Sequence, residues 1–381
     1  GRQSDRREGI DAIMAFAWRG LPAHERRALR HLAVFNGHFD RMAAEAIGVK
    51  LSSLLLLCEH ALVERDEAGG YLLHPLVRQY GVEQLARWPT EEAQVRARHA
   101  TYYANTFVRQ AEQRLRTPEA QLGIDVDRAN LFAAWEWAAT HLDLGVLTRL
   151  QIGLARLHQT AGLHREWVEV LDGAVERIRG AHPTAADPSL RVALGWLLTT
   201  KANALMCLGD LDSPRPLLSE ARQCARAVGM IPLEVRVNLY EAHILHYQGE
   251  VPAATESLRQ ALTLSRAIQD RRLEAEALLS LGLTRSDAGQ YAEAETHLSQ
   301  AEQIYRELGE RVTLGRLVVH RSRLYIARAE FARAKVALEQ VLPAIRAQEN
   351  QRAEGWAYVY LGEICGVGLG RHQEADDYFN Q

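Results

Sequence analysis

Small and apolar residues recur with a period of 40 residues along the C-terminal half of the chain. A leucine occupies one position in four successive copies: Leu218, Leu258, Leu298 and Leu338. A small residue occupies a second position: Ala202, Ala242, Gly282 and Ser322. A turn-forming residue lies between these two positions: Gly209, Gly249, Gly289 and Ala329. Self-similarity at a period of 20 to 50 residues is typical of stacked repeats.

The pattern predicts pairs of antiparallel helices, because small residues at facing positions let two helices approach closely. Each pair leaves an apolar face that only the next pair can cover. A degenerate copy around Ala155, Gly162 and Leu171 and a partial copy around Gly362 and Gly370 extend the pattern in both directions. We therefore expect six repeat units over residues 143–381, the first divergent and the last incomplete.

The N-terminal part of the chain has a different pattern. Apolar residues at helical spacing predict three helices between residues 21 and 60, followed by strands at 61–65 and 71–74 on either side of a glycine turn. Pro75 then begins a fourth helix. This order predicts a winged-helix domain over residues 21–90, preceded by a helical tail over residues 1–20.

Residues 91–142 are predicted to form a helical bridge between the two regions. Its first helix covers residues 90–117, with an apolar face of Ala93, Ala97, Ala100, Tyr103 and Phe107. The expected fold class is therefore mainly α, with a winged-helix domain followed by an α-α superhelical solenoid.

Composition narrows the classes of function. A net charge of −3 at pH 7 indicates no general affinity for nucleic acid or anionic membranes. No stretch approaches the ~18 apolar residues of a membrane span. The four cysteines are scattered and are expected to be reduced thiols in a cytoplasmic protein. Because the sequence starts at Gly1 without methionine and stops inside a repeat, we expect a fragment of a longer protein.

The best copy of the repeat resembles the tetratricopeptide repeat. Leu278, Leu281 and Gly282 match its large-Leu-Gly positions, and Gly289 and Tyr291 match its Gly-x-Tyr positions. The usual repeat has about 34 residues, so a period of 40 predicts longer helices or longer connections. This long-period form is similar to that of large bacterial signalling proteins.

The order of the N-terminal segments resembles that of bacterial STAND proteins of the NB-ARC type. The similar segments are 21–29, 32–35, 61–63, 71–80 and 130–138. In that family an effector and a nucleotide-binding NTPase domain precede the winged helix and a repeat sensor. The resemblance implies that the full-length protein binds ADP or ATP with Mg²⁺ outside this sequence. It also implies an intramolecular contact with the nucleotide-binding domain and oligomerisation on activation.

The same resemblance implies one nucleotide-sensing residue, His74. The segment from Leu73 to Leu76 aligns with the Met-His-Asp motif of the family, whose histidine contacts the β-phosphate of ADP in the closed state. His74 would then donate a hydrogen bond to a phosphate oxygen in the full-length protein. Pro75 stands where the family often has aspartate, which leaves the second role of the motif open.

The sequence lacks the motifs of the enzyme classes that we considered. A P-loop needs a glycine-rich turn before its lysine, but Lys50, Lys201 and Lys335 follow no such turn. His243 and His246 lack the HExxH arrangement of zinc sites. The candidate recognition helix at 51–59 carries no Arg or Lys, so we do not expect DNA binding. The chain is expected to have no catalytic residue, metal or cofactor of its own.

The tetratricopeptide resemblance implies a partner-binding groove lined by the first helix of each pair. The candidate residues are Arg149, Arg156, Gln159, Trp196, Asn203, Arg236, His243, His246, Arg316, Arg323 and Trp356. Arginine and tryptophan often anchor interfaces, and Glu276 and Glu363 are the acidic exceptions on this face. A groove of this kind suits a protein or peptide with acidic groups; alternatively, several of these positions are ordinary solvated residues.

These patterns predict a sensing and autoregulatory module. The groove would bind a trigger, a protein or peptide, and control an effector encoded elsewhere in the full-length chain. Two alternatives stay open: the sensor region of a transcriptional activator, and a plain scaffold that gathers partners without switching.

Overall fold

The computed structural model describes residues 14–66, 69–116, 124–157, 164–181, 187–347 and 351–381. Contacts divide the chain into two compact units. The N-terminal unit comprises Gly1–Val108 and Leu122–Leu150, and the repeat unit comprises Arg109–Gln121 and Gln151–Gln381. Both units are mainly α-helical, as the sequence predicts.

Three helices, a short hairpin and a fourth helix follow one another in the N-terminal unit, in the predicted order. Helical residues 14–20 precede them, in the predicted helical tail. The elements up to residue 157 are α1 (Ala23–Leu32), α2 (Arg41–Ala46), α3 (Leu51–Glu59), β1 (Glu64–Arg65), β2 (Tyr71–Leu72), α4 (Pro75–Leu85), α5 (Pro89–Arg116), α6 (Ile124–His141) and α7 (Leu144–Leu157). The ends of α5 and α7, from Arg109 and from Gln151, belong to the repeat unit. The two strands are antiparallel, with Arg65 opposite Tyr71.

Both strands are shorter than predicted, with two residues each. Leu62 and Val63 donate their backbone N–H groups to the Leu57 carbonyl at 3.0 and 3.3 Å, so they close the end of α3. His74 caps the start of α4, because its Nδ1 accepts the Leu76 N–H at 3.3 Å. Leu62, Val63 and His74, which the alternating pattern predicts to lie in strands, therefore form the ends of the neighbouring helices instead.

The buried stripe of α5 differs from the predicted apolar face. Ala93 is exposed and Ala97 is only half-buried, so these two positions are predicted wrongly, whereas Ala100, Tyr103 and Phe107 are buried as predicted. Val95 and His99 are buried too, and with Glu91 they extend the row of Tyr103 and Phe107 in steps of four. Residues four apart lie on one side of a helix, and the stripe therefore begins with a carboxylate rather than an alanine.

Glu91 sets this orientation through its contacts with α1. Its carboxylate accepts hydrogen bonds from Arg27 Nε at 2.6 Å and Arg30 Nη2 at 2.5 Å, and it lies 2.8 Å from His31 Nε2. Charge-assisted hydrogen bonds are among the stronger ones in proteins. The predicted face was chosen from apolar residues alone, so the inward-facing Glu91 was not recognised. This explains why the start of the buried face was mispredicted.

A buried amide, that of Asn130 on α6, fixes the chain segment that follows α1. Asn130 Oδ1 accepts the Asn36 N–H at 2.7 Å, and its Nδ2 donates to the His38 carbonyl at 2.8 Å. His99 Nε2 lies 3.2 Å from the same oxygen. Burial lowers the pKa of His99 to about 4, so its ring is neutral at pH 7. On the other side, Arg78 Nε donates to the Phe35 carbonyl at 2.6 Å.

The repeat unit contains α8 (His164–Ala181) and, in its described ranges, five helix pairs. The pairs are α9 (Pro188–Cys207) with α10 (Pro214–Val228), α11 (Ile231–Tyr247) with α12 (Val251–Ala267), α13 (Arg271–Asp287) with α14 (Tyr291–Glu307), α15 (Arg311–Ala327) with α16 (Phe331–Ala347), and α17 (Gln351–Glu363) with α18 (His372–Phe379). From α11 to α16 every helix has 17 residues and every turn has three. The period of 40 therefore comes from long helices.

Close packing within each pair follows the small and large positions of the pattern. All four small residues and all four leucines of the 40-residue pattern are buried. A Cβ atom on Gly282 would lie 2.7 Å from the Leu298 side chain, so α13 and α14 approach closely there. Leu258 of α12 shares a core cluster with Leu273 and Leu281 of α13, and each pair thereby covers the face of its neighbour.

The last pair departs from the 40-residue register by one residue. Gly362 follows Ser322 by 40 positions, whereas Gly370 follows Ala329 by 41. A π-helical turn at Ile364–Gly368 lies between these two points. A single π turn accommodates one extra residue in an α-helix. We infer that this turn absorbs the insertion and lets α18 keep its place against α17.

Backbone conformation at the turns gives a test of the repeat. Gly249 and Ala329 occupy the same turn position, with φ of +81° and +59°. The left-handed conformation costs an L-residue roughly 1–2 kcal/mol. We expect Ala329→Gly to raise the free energy of unfolding by roughly 0.5–1 kcal/mol and with it the melting temperature.

The matched reverse change is Gly249→Ala. No atom lies within 4 Å of a Cβ built there, so only the backbone conformation is affected. The melting temperature should fall, by an amount that corresponds to about 1 kcal/mol. Shifts of the same sign in the two variants would contradict this explanation of the turn.

Candidate partner-binding groove

The first helices of successive pairs form one continuous surface. Direct contacts join α9 to α11, α11 to α13, α13 to α15 and α15 to α17. Each second helix packs against the first helix of its own pair and that of the next pair. Stacking of this kind places the first helices on the inner face of a superhelix. We call the accessible side chains of these five first helices the groove.

One repeat position forms a row across the groove. Its members are Trp196, Arg236, Glu276, Arg316 and Trp356, each 40 residues from the next. Arg236 on α11 forms an ion pair with Glu276 on α13, so neighbours in the row reach one another. The five side chains are half-buried or exposed.

The charge of Arg236 is compensated inside the protein. Burial alone would lower the pKa of its guanidinium, but the Glu276 carboxylate outweighs this effect, and the pKa is raised above its ordinary value. The guanidinium also lies over the Tyr240 ring, 5.8 Å from its centroid. Arg236 is therefore a fixed part of the groove wall, and its charge is not free for an external anion.

Asp287 compensates two further predicted groove residues. Its carboxylate lies 2.8 Å from His246 Nε2 on α11 and 2.6 Å from Arg323 Nη2 on α15. His243 Nε2 lies 3.0 Å from Ser280 Oγ. The expectation of only Glu276 and Glu363 as acidic exceptions is thus corrected by Asp287. The residues at the same position of the adjacent repeats are Tyr247 and Ala327. The repeat pattern therefore does not predict an acidic residue at position 287.

Arg316 differs from the other groove arginines. Among the residues that the structure describes, no carboxylate forms an ion pair with it, and its Nε has no hydrogen-bond partner there. Tyr305, which is 1% exposed, has a hydroxyl that is likewise unbonded within the described ranges. Burial and the Glu276 carboxylate raise the pKa of Tyr305, and the Arg316 guanidinium opposes this rise.

Trp356 is the most exposed aromatic residue of the row. It is 47% exposed, and its ring stacks on that of Tyr360, with 5.7 Å between centroids and an interplanar angle of 30°. Tyr360 itself is 9% exposed. The buried tyrosine supports the tryptophan from below and leaves much of the indole accessible.

The remaining predicted groove residues contribute less. Asn203 on α9 is half-buried. Arg149 lies on α7 in the N-terminal unit and is half-buried. Arg156 belongs to the same helix, and Gln159 lies outside the described residues. The structure thus brings eight of the predicted residues together on four of the five first helices, α9, α11, α15 and α17.

His74 lies in the N-terminal unit at the start of α4. Its side chain is exposed, and its Nδ1 is occupied as the acceptor for the Leu76 N–H. In the neutral ring the proton therefore lies on Nε2. This tautomer presents an N–H donor to the surroundings.

The described ranges show neither a metal-binding cluster nor a helix that could span a membrane. They contain no group of three or more His, Cys, Asp or Glu side chains that could hold a metal ion. None of their helices is long and apolar enough to cross a membrane.

Comparison with known proteins supports the repeat assignment. Residues 234–307 match the family model of the tetratricopeptide repeat. This part of the chain is a tetratricopeptide repeat region. The matched stretch includes α12, α13 and α14, and it contains both Arg236 and Glu276. No curated protein matches the sequence.

A solved structure has a similar fold, and a second one matches part of the chain. One is a signal transduction ATPase with numerous domains (STAND) with a tetratricopeptide repeat sensor, from Pyrococcus horikoshii; it is 16% identical with a TM-score of 0.54. The match covers 94% of this chain but 56% of that protein, so the chain spans little more than half of its length. BtubC (BKLC) from P. vanneervenii is 18% identical over 57% of this chain and 88% of its own, with a TM-score of 0.46.

The Arg236–Glu276 pair gives a test of the groove geometry. Both side chains are largely buried, with 23% and 27% exposed. Arg236→Glu or Glu276→Arg alone would place like charges together and lower the free energy of unfolding by about 2 kcal/mol. The double charge swap should recover at least half of this loss, because opposite charges face each other again. Melting temperatures of the four proteins measure the coupling, and additive losses would contradict the contact.

Proposed function

We propose that this chain is the sensing region of a larger signalling ATPase and that its groove binds a protein or peptide trigger. The observation that carries the proposal is the continuous row of accessible side chains on the first helices. Tetratricopeptide repeats form extended binding surfaces of this kind. The fold similarity to a STAND protein with a tetratricopeptide repeat sensor agrees with the proposal.

The N-terminal unit would connect this sensor to a nucleotide-binding domain. We assign residues 21–90 to a winged-helix domain, residues 91–142 to a helical bridge and residues 143–381 to the repeat array. In the full-length protein the N-terminal unit would contact a nucleotide-binding domain of NB-ARC type that holds ADP or ATP with Mg²⁺. A trigger shifts such a switch only if it binds the open state better than the closed one. Oligomerisation and effector activation would follow.

The N-terminal unit is not proposed to read DNA. Helix α3 lacks Arg and Lys, and its Leu54 and Leu57 are buried in the core. A groove-reading helix needs accessible polar side chains and phosphate neutralisation. The four free cysteines, Cys58, Cys207, Cys224 and Cys365, fit a reducing compartment, and we propose a cytoplasmic location.

Photo-crosslinking tests the groove directly. Dodecamer peptides would be selected from a random display library on the full chain and synthesised with a photoreactive benzophenone side chain. We expect their crosslinks to map to first helices, α9 to α17, because that surface carries the accessible anchors. Arg259, exposed on the second helix α12, lies away from the groove, and Arg259→Glu is the control that should leave binding unchanged.

Crosslinks confined to second helices would contradict the proposal, as would the absence of any selected peptide.

His74 is proposed to report the bound nucleotide in the full-length protein. Its Nε2–H would donate to a β-phosphate oxygen of ADP. We expect His74→Ala to release ADP faster, and to lose about 1 kcal/mol of stability with the helix cap. His74→Asn keeps a side-chain acceptor for the helix cap, but the shorter side chain cannot reach the phosphate. This variant should therefore release ADP faster while its stability stays unchanged. Unchanged ADP retention in both variants would exclude this role.

A further inference from the structure

The charges of the groove are unevenly compensated. Three arginines of the predicted set lie on α11 and α15: Arg236, Arg316 and Arg323. Glu276 neutralises Arg236, and Asp287 neutralises Arg323 while also contacting His246. Within the described residues only Arg316 lacks a carboxylate partner among these three. The uncompensated positive charge is therefore confined to one place in the row.

The surroundings of Arg316 favour an anionic oxygen from outside. Its Nε is buried and has no hydrogen-bond partner in the described residues. Leaving buried donors without partners is costly. The Arg316 side chain as a whole is half-buried rather than buried. A carboxylate from outside that meets its guanidinium would form a charge-assisted hydrogen bond, which is stronger than a neutral one.

An apolar surface lies at the next position of the row. The first helices α15 and α17 are in contact, and Trp356 follows Arg316 by one repeat. The indole is 47% exposed and stacked on the buried Tyr360. A tryptophan held by a buried neighbour is a typical anchor for binding, because little conformational freedom is lost when a partner covers it.

We propose that Arg316 and Trp356 form the specificity site of the groove, which takes an aspartate or glutamate of a peptide next to a large apolar side chain. The carboxylate binds the Arg316 guanidinium, and the apolar side chain covers the Trp356 indole. This inference rests on the proposed peptide-binding function and names the chemistry of the trigger.

A peptide suits the site better than a nucleic acid strand does. Single-stranded nucleic acid requires a positive groove that follows several phosphates. Here the cations on either side of the site are neutralised by Glu276 and Asp287, so one carboxylate matches the available charge. The groove also offers an uncharged position, the half-buried Asn203 on α9, for the rest of a peptide.

The test uses the peptides selected on the full chain, labelled with fluorescein and titrated by anisotropy. We expect the selected sequences to share an Asp or Glu within a few residues of an aromatic or large aliphatic residue. Arg316→Ala and Trp356→Ala should each weaken binding at least tenfold. Arg259→Ala is the control, since it removes an exposed arginine from the second helix α12, outside the groove, and should weaken binding less than threefold. The melting temperature of each variant shows that it is folded.

The possible results separate this inference from the proposed function. Peptides that crosslink to first helices but need no acidic residue would contradict the specificity site. Peptides that bind Arg316→Ala as well as the native chain would contradict it too. Either result would still support the proposed binding groove. If no peptide is selected, or crosslinks lie on second helices, both fail. If oligo(dT) binds in an Arg316-dependent manner and no peptide does, the site accepts nucleic acid and the proposal is overturned.

Discussion

Each helix pair of the repeat unit has an apolar face that only a neighbouring pair can cover. This requirement makes the same apolar pattern recur in every pair and places the first helices side by side on the inner face. Within a pair, the contact of Gly282 with Leu298 sets how closely the helices approach. Between pairs, the shared core of α12 and α13 sets the register. Because the register repeats, Trp196, Arg236, Glu276, Arg316 and Trp356 form one row.

Much of this architecture could be predicted from the sequence, because close packing demands small residues and leucines at fixed intervals. The turns between the helices could also be predicted, because their left-handed backbone conformation favours glycine. The last pair shows where periodicity fails: one inserted residue changes the spacing to Gly370, and a π turn absorbs it. The stripe of α5 and the length of the strands were mispredicted because Glu91 and the helix caps act through polar contacts that apolar patterns do not record.

The candidate groove residues could be listed from the repeat positions, but their charge state could not. Ion pairs between neighbouring helices depend on which side chains face each other. Asp287 contacts both His246 and Arg323, although it occupies a position where the neighbouring repeats carry no acid. The structure therefore changes the picture from an evenly basic groove to one with a neutralised centre. The uncompensated charge lies at Arg316, beside the aromatic pair of Trp356 and Tyr360.

The central claim is that Arg236 is held by an internal carboxylate and Arg316 is not. Modification of the full chain with phenylglyoxal, followed by mass spectrometry of the peptides, measures the reactivity of each arginine. We predict that Arg316 is modified faster than Arg236, because Glu276 engages the Arg236 guanidinium and no described residue engages that of Arg316. Equal rates, or faster modification of Arg236, would contradict the uneven compensation of charge in the groove.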